Sequence, residues 1–308
     1  MDKIMPNVLV IINRHAFTYS IVKDAGFYSL PPYKGKNNLF LRILREIHFR
    51  LNLPQKSIWY VKPDRFYEYF LIYSDLITPN YIDWLHNQYP ISKVIMTFEN
   101  ICTKKNNPVN FYQDFIHFCS GDQDDCRRYN MKLLSPSGCY MRNWKVEKKD
   151  PKYDIFFIGK DKRGRKRLKD LEILEKTFRD LGLTIYSHIV PYTRFDVYKS
   201  KRYQKYVPYA EVLNKLAYTK AILYLGFGSQ KCVTIRIQES LIHKIKLVTD
   251  CEWIKEYDFY HPNNFFIIGV DKIEDLPAFL DIPYVEVKTA FFESAYYEDS
   301  IKQLISGI

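Results

Sequence analysis

No stretch of this 308-residue sequence approaches the roughly 20 consecutive apolar residues that a membrane-spanning helix needs. The apolar run Val8 to Ile12 near the N-terminus is short and reads as a strand, not a signal peptide, so a cytoplasmic location is expected. The six cysteines, Cys102, Cys119, Cys126, Cys139, Cys232 and Cys251, include no CxxC pair and no Cys/His cluster. A zinc site and a disulfide framework are therefore not indicated, and reduced, mostly buried thiols are expected. There is no internal repeat, no recognised RNA- or DNA-binding motif, and only seven histidines are present.

The length exceeds one ordinary α/β domain and suits two of about 150 residues each. Hydrophobic residues make up 47% and charged residues 26%, values of a chain that buries real cores. The 26 Tyr and 21 Phe are flat, half-polar surfaces that suit sugar rings and bases, and equally suit ordinary cores. A net charge of +11 implies an anionic partner: nucleic acid, anionic lipid or a phosphorylated substrate. The cations gather in three places: Arg42, Arg45, His48 and Arg50; Lys104 and Lys105; and Lys160 to Lys169. A solvated helix face or loop is the ordinary alternative for the first two.

Along the first half, Asn7 to Ile12 is a near-continuous apolar run of the kind seen in a strand buried on both faces. A helix at Leu39 to Phe49 follows, with Leu41, Leu44 and Ile47 at helical spacing and basic residues between them. Strands are then expected at Ser57 to Val61, Tyr69 to Tyr73, Lys93 to Phe98 and Phe115 to Cys119, with a helix at Tyr81 to Gln88. Ser120, followed by acidic residues and then Arg127 and Arg128, reads as a helix start. The charged segment Trp144 to Pro151 reads as a linker.

The same alternation restarts after it. Tyr153 to Gly159 is a strand that ends in glycine and leads into a basic loop. A helix from about Leu168 to Leu181 carries Leu171, Leu174 and Phe178 on one face and stops at Gly182. Further strands are expected at Thr184 to Val190, Ala221 to Leu225, Lys246 to Thr249 and Phe265 to Ile268. Further helices are expected at Tyr209 to Thr219, Thr234 to His243 and about Thr289 to Leu304. Alternating strands and helices specify parallel sheets. The expected architecture is α/β, two Rossmann-like domains facing across a cleft, residues 1–145 and residues 146–308, with the last helix packing back on the first domain.

In an open parallel sheet, ligands sit beyond the carboxyl ends of the strands, where glycine admits phosphate and a helix N-terminus offers free N–H groups. Two segments have this form. Ile158-Gly-Lys-Asp-Lys-Arg-Gly-Arg165 runs from a strand end into glycines and cations, which suits a diphosphate; the alternative is a surface basic loop. Gly226-Phe-Gly-Ser-Gln-Lys-Cys-Val-Thr-Ile-Arg-Ile-Gln-Glu239 is again strand, glycine loop and helix. There the Thr234 hydroxyl, the Arg236 guanidinium and backbone amides suit phosphate oxygens. Glu239, a turn further in, suits the two hydroxyls of a ribose, or is a solvated helix carboxylate.

Gln230 to Leu241, Lys246-Leu-Val-Thr249 and Tyr257 to Phe265 resemble a bacterial family of GT-B glycosyltransferases of capsule and lipopolysaccharide (O-antigen) biosynthesis. That family reads GQxGLTxRxxE, a KLIT strand, then YxFYxxxN. The segments Tyr153 to Arg165 and Phe118 to Asn130 resemble its YDxxFxGxDKGR and SFDxxDCxKYN stretches. The resemblance implies that Gly159, Lys160 and Arg165 border a diphosphate, that Gln230, Thr234 and Arg236 belong to the donor site, and that Glu239 takes the ribose. It departs where the family's glycine after Gln is replaced by Lys231-Cys232.

The string Asp122-Gln-Asp124 has the form of a DxD metal motif, but its helix-start setting argues for a cap, and no metal is expected. On the acceptor side an inverting enzyme requires a base. His15, Asp75 and Glu99 are the strand-end candidates, with Asp24 in a following loop; a retaining enzyme needs no protein base. The leading reading is a metal-independent hexosyltransferase without a cofactor, with a UDP-linked sugar as co-substrate and a surface polysaccharide or polyprenyl-linked oligosaccharide as acceptor. It would act at the inner face of the membrane, where Arg42, Arg45 and Arg50 meet anionic lipid. The competing class is a non-catalytic basic nucleotide- or nucleic-acid-binding protein. A third, a two-lobed epimerase, asks for more histidines and carboxylates.

Overall fold

The computed structural model describes residues 7–13, 17–35, 38–74, 77–104, 106–134, 140–161, 167–226 and 230–308. Contacts divide the chain into Met1–Met141 with Glu293–Ile308, and Arg142–Phe292.

In the first unit the strands are β1 (Val8–Ile11), β2 (Tyr28–Leu30), β3 (Tyr69–Tyr73), β4 (Lys93–Phe98), β5 (Ile116–Ser120) and β6 (Lys132–Leu133), in spatial order β2-β1-β3-β4-β5-β6. Every pairing is parallel. All residues of β1 and β3 are buried, as a continuous apolar run in a sheet covered on both faces requires. One face packs Leu9, Phe70, Ile72 and Met96 against Tyr81 and Leu85 of α3 (Pro79–Gln88). α1 (Phe17–Asp24) joins β1 to β2, and α2 (Leu39–Arg50) lies between β2 and β3. α9 (Tyr297–Ser306) also belongs to this unit. Its Tyr297 hydroxyl lies 3.2 Å from that of Tyr73, and its ring meets Phe27 edge-on.

Two sequence expectations are corrected here. Ser57 to Val61 is not a strand: Lys56–Trp59 is a 3-10 turn, and Tyr60 makes a single bridge to Tyr33. Pro54 and Pro63 bracket the segment and leave little room for a ladder, since proline donates no backbone hydrogen bond. The cap of α4 (Gln123–Tyr129) is Asp122, whose Oδ1 accepts from the amides of Asp124 (3.1 Å) and Asp125 (3.0 Å). Ser120 instead closes β5, donating to the Phe98 carbonyl at 3.2 Å.

The second unit holds β7 (Tyr153–Lys160), β8 (Ile185–Val190), β9 (Thr219–Tyr224), β10 (Lys246–Thr249) and β11 (Phe265–Ile267), in order β11-β10-β9-β7-β8, again all parallel. α5 (Arg167–Asp180) buries Leu171 and Phe178 against this sheet, and Gly182 leaves the helix at φ +74°. Truncating Phe178 to alanine would cost about 3–5 kcal/mol by the usual core-cavity rule. α6 (Tyr209–Leu216), α7 (Ile235–His243) and α8 (Leu276–Asp281) complete the layers. The charged segment before β7 is packed on this unit. The Trp144 ring lies 4.3 Å from that of Tyr209, and Lys149 N donates to the Ala217 carbonyl. Each unit is thus α/β with one parallel sheet, as the alternation of elements led us to expect.

Candidate functional site

In the second unit the chain starts in the middle of the sheet. β7 is followed outward by β8, and then the path crosses to β9 on the other side of β7. The switch point therefore lies between the carboxyl ends of β7 and β9, where an open parallel sheet takes its ligand, beside the loops that leave these two strands. These loops are the two glycine segments singled out in the sequence. The middle of each, residues 162–166 with Arg165, and residues 227–229, lies outside the described residues. Gly159, Lys160, Gln230, Thr234, Arg236 and Glu239 are described.

The switch point is held by Arg167, a buried first residue of α5. Its Nη1 donates to the Lys160 carbonyl at 2.9 Å and its Nη2 to the Leu225 carbonyl at 2.8 Å, so one guanidinium ties the ends of β7 and β9 together. Asp161 Oδ1 accepts from the Arg167 amide at 3.1 Å, and its Oδ2 accepts from the Tyr203 hydroxyl at 2.7 Å. Lys160 is exposed at this edge, its ammonium 5.5 Å from the centre of the Tyr192 ring. At Gly159 a Cβ would sit 3.0 Å from the Phe157 ring. At Gly226 the space is tighter: a Cβ would fall 2.3 Å from Cys251 Sγ, while the Gly226 amide donates to Asp250 Oδ1 at 2.7 Å.

α7 opens on Thr234, which holds the N-cap position without capping through its side chain. The Thr234 Oγ1 is buried; it makes no full hydrogen bond, and the Tyr224 phenol is its polar partner. A helix start without a side-chain cap leaves its first N–H groups unsatisfied, and these concentrate positive potential. Gln230 Nε2 contacts Cys232 Sγ at 3.0 Å, so the Lys231-Cys232 departure places a buried thiol beside this turn.

Glu239 is 0% exposed. Its Oε1 accepts from the Tyr209 hydroxyl at 2.5 Å and its Oε2 is paired with Arg236 Nη1. Burial pushes its carboxyl above the usual range, with Arg236 and Tyr209 pulling the other way. As it stands neither oxygen faces solvent, and receiving a ribose requires Tyr209 or Arg236 to give way.

Of the acceptor-side candidates, His15 and Asp75 lie outside the described residues. Glu99, directly after β4, is exposed and accepts from Thr18 Oγ1 on α1 at 3.4 Å. Asp24 is exposed at the end of α1. Asp122 and Asp124 belong to the α4 cap described above.

Arg167, Asp161, Tyr203 and Tyr209 were not singled out in the sequence. Asp161 was findable, because an acidic residue between a strand end and a helix is a cap signal. Arg167 sits in a run of cations that gives no hint which one turns inward. Tyr209 meets Glu239 across 30 residues of chain.

No protein-family description matches the chain, and no curated protein matches it. Solved structures similar to it include the GtfA/B complex, at 12% identity and a TM-score of 0.48, over 86% of this chain and 60% of that one. The spinosyn forosaminyltransferase SpnP is 10% identical with a TM-score of 0.36, over 98% of each chain. The NAD+-bound 3-phosphoglycerate dehydrogenase of Entamoeba histolytica is 13% identical with a TM-score of 0.23, over 97% of this chain and 94% of that one. This chain spans 60% of the length of the GtfA/B chain it is similar to. At these identities and scores the likenesses carry no weight for activity.

Proposed function

We propose that the chain is a glycosyltransferase that moves a hexose, pyranose or furanose, from a UDP-linked donor to a surface polysaccharide or lipid-linked oligosaccharide, without a metal ion. The observation that carries the reading is Thr234: a buried hydroxyl whose polar partner, the Tyr224 phenol, stops short of a full hydrogen bond, at the start of α7, which has no side-chain cap, beside the switch point of a parallel sheet. A buried hydroxyl without a full hydrogen bond and a helix start without a side-chain cap suit the oxygens of a diphosphate. Lys160 and Arg236 supply charge, and Glu239 orients Arg236 and is the proposed ribose acceptor once its present donors shift. Glu99 is the described candidate for the base that takes the acceptor proton. The acceptor class puts the enzyme at the inner face of a membrane.

The test is a thermal-shift series with UDP, GDP, CMP and ADP on the parent, Thr234→Val and Lys160→Ala. At a hundredfold excess over its dissociation constant a ligand adds about 2.7 kcal/mol of stability. We expect UDP to stabilise the parent and to do little for either variant, with Thr234→Val as stable as the parent in the absence of nucleotide. Silence from all four nucleotides would sink the reading and favour the non-catalytic basic binding protein.

A further inference from the structure

α2 is turned the opposite way from an ordinary surface helix. Its packed side carries Arg45, 4.9 Å over the Tyr33 ring, and Phe49, whose ring meets Tyr33 edge-on at 5.5 Å. His48 Nε2 lies 2.8 Å from the Pro54 carbonyl. The opposite side carries Leu39, Phe40, Ile43, Leu44 and Ile47, continued by Leu51 just past the helix. These six are 38–68% exposed, and no residue of α2 is buried. A globular surface helix shows its polar stripe to water and hides the apolar one, and a contiguous exposed apolar stripe marks an interaction surface.

The charge around the stripe selects the occupant. Between Lys34 and Lys56 the sequence holds six Lys and Arg against one carboxylate, Glu46. Arg42 and Arg50 lie on the side of the stripe nearer Leu39 by helical spacing, and both are exposed. A second copy of the chain would bring these cations against themselves across a two-fold axis, which is unfavourable. An apolar stripe bordered by cations suits the headgroup layer of an anionic bilayer, where the side chains enter the acyl boundary and the guanidinium groups meet lipid phosphates.

We propose that α2 lies in the surface plane of an anionic membrane, with Phe40 and Ile47 inserted and Arg42 and Arg50 at the phosphates. The inference rests on the proposed function for a peripheral membrane location and names the surface that makes it. Vesicle binding needs no nucleotide, so its failure and the failure of the donor reading are separate observations.

The full chain is sedimented with vesicles of phosphatidylcholine alone and with vesicles that also contain phosphatidylglycerol. The parent is expected to bind the anionic vesicles, at least about tenfold better than the zwitterionic ones, and to lose most of that preference at high salt. Phe40→Ser/Ile47→Ser should lower binding by more than about tenfold while leaving Tm and the nucleotide shift unchanged, because these side chains are exposed. Arg42→Gln/Arg50→Gln should weaken binding to anionic vesicles selectively. No binding by the parent, or unchanged binding in both variants, overturns the inference. So does a parent dimer in sedimentation velocity that Phe40→Ser/Ile47→Ser dissociates, which would give the stripe to a second copy.

Discussion

Replacing Arg167 with methionine keeps most of the stem's volume and removes both hydrogen bonds that tie β7 to β9. A hydrogen bond to a charged donor contributes about 1.5–3 kcal/mol, and the two carbonyls differ in what is left to them. Leu225 is 2% exposed, so its carbonyl loses its guanidinium partner in a dry setting, whereas Lys160 is exposed and its carbonyl can turn to water. A net loss of about 3 kcal/mol follows, less than the full sum of two bonds. For a unit of this size, 1 kcal/mol moves the midpoint by about 2–4 °C, so Arg167→Met should lower the Tm of the full chain by about 6–12 °C. Arg167→Lys, which reaches one carbonyl at a time, should fall about midway. The assay is differential scanning calorimetry with and without UDP. A methionine variant that melts within about 2 °C of the parent would refute the clamp. A variant that melts normally and loses only the nucleotide shift would make Arg167 a phosphate ligand instead.

Further outcomes can be measured on the same chain. Gly226→Ala should destabilise by about 1–3 kcal/mol through overpacking against Cys251, and Cys251→Ala in the same chain should recover most of it; independent, additive effects would exclude the clash. Two carboxylates should titrate with opposite sign in a urea pH series. Burial alone would raise Asp154, but the Thr184 amide and hydroxyl, each at 2.8 Å, and Lys220 at 3.1 Å outweigh it and hold its carboxyl below the usual range. Its stabilisation is present above the unfolded pKa and is lost as the pH falls through the folded one, so Asp154→Asn should cost most at neutral pH and little in acid. Burial raises Glu239, so its stabilisation is complete in acid and is lost as the pH rises through the folded pKa. Glu239→Gln should therefore gain on the parent with rising pH, and parallel profiles would count against this. Glu99→Gln should lower kcat of sugar transfer about 10²-fold or more with little change in KM if Glu99 is the base, and an equal kcat would remove it from that role.

Much of the fold was legible because its strands are buried on both faces. Runs such as Val8–Ile11 and Lys246–Thr249 leave few alternatives to a central parallel strand. The segment at Ser57 to Val61 is also rich in strand-forming residues and fails, because Pro54 and Pro63 bracket it and leave little room for a ladder. Short elements with weak patterns, such as β6 at Lys132–Leu133, exist through pairing alone. In the candidate site the glycine loops were visible as a local strand, loop and helix grammar. The Tyr209, Arg236 and Glu239 cluster was half visible, since Arg236 and Glu239 share one helix face, while Tyr209 arrives from a different helix. The orientation of α2 was not legible in sequence: Leu41, Leu44 and Ile47 share helical spacing, which does not say which way they turn, and Leu44 and Ile47 face water while the packed side is built from Phe49 and the stem of Arg45.

The return of α9 to the first unit has a consequence for the order of events during synthesis. Tyr297, Ser300, Ile301 and Leu304 are buried there, Tyr297 against Phe27 and Tyr73, yet they leave the ribosome more than 160 residues after Leu133, the end of the last strand of that unit. The second unit, Arg142–Phe292, has all its strands in hand before α9 emerges. The half of the protein that is made first is therefore the half that is finished last, and until then Phe27 and Tyr73 wait without their cover.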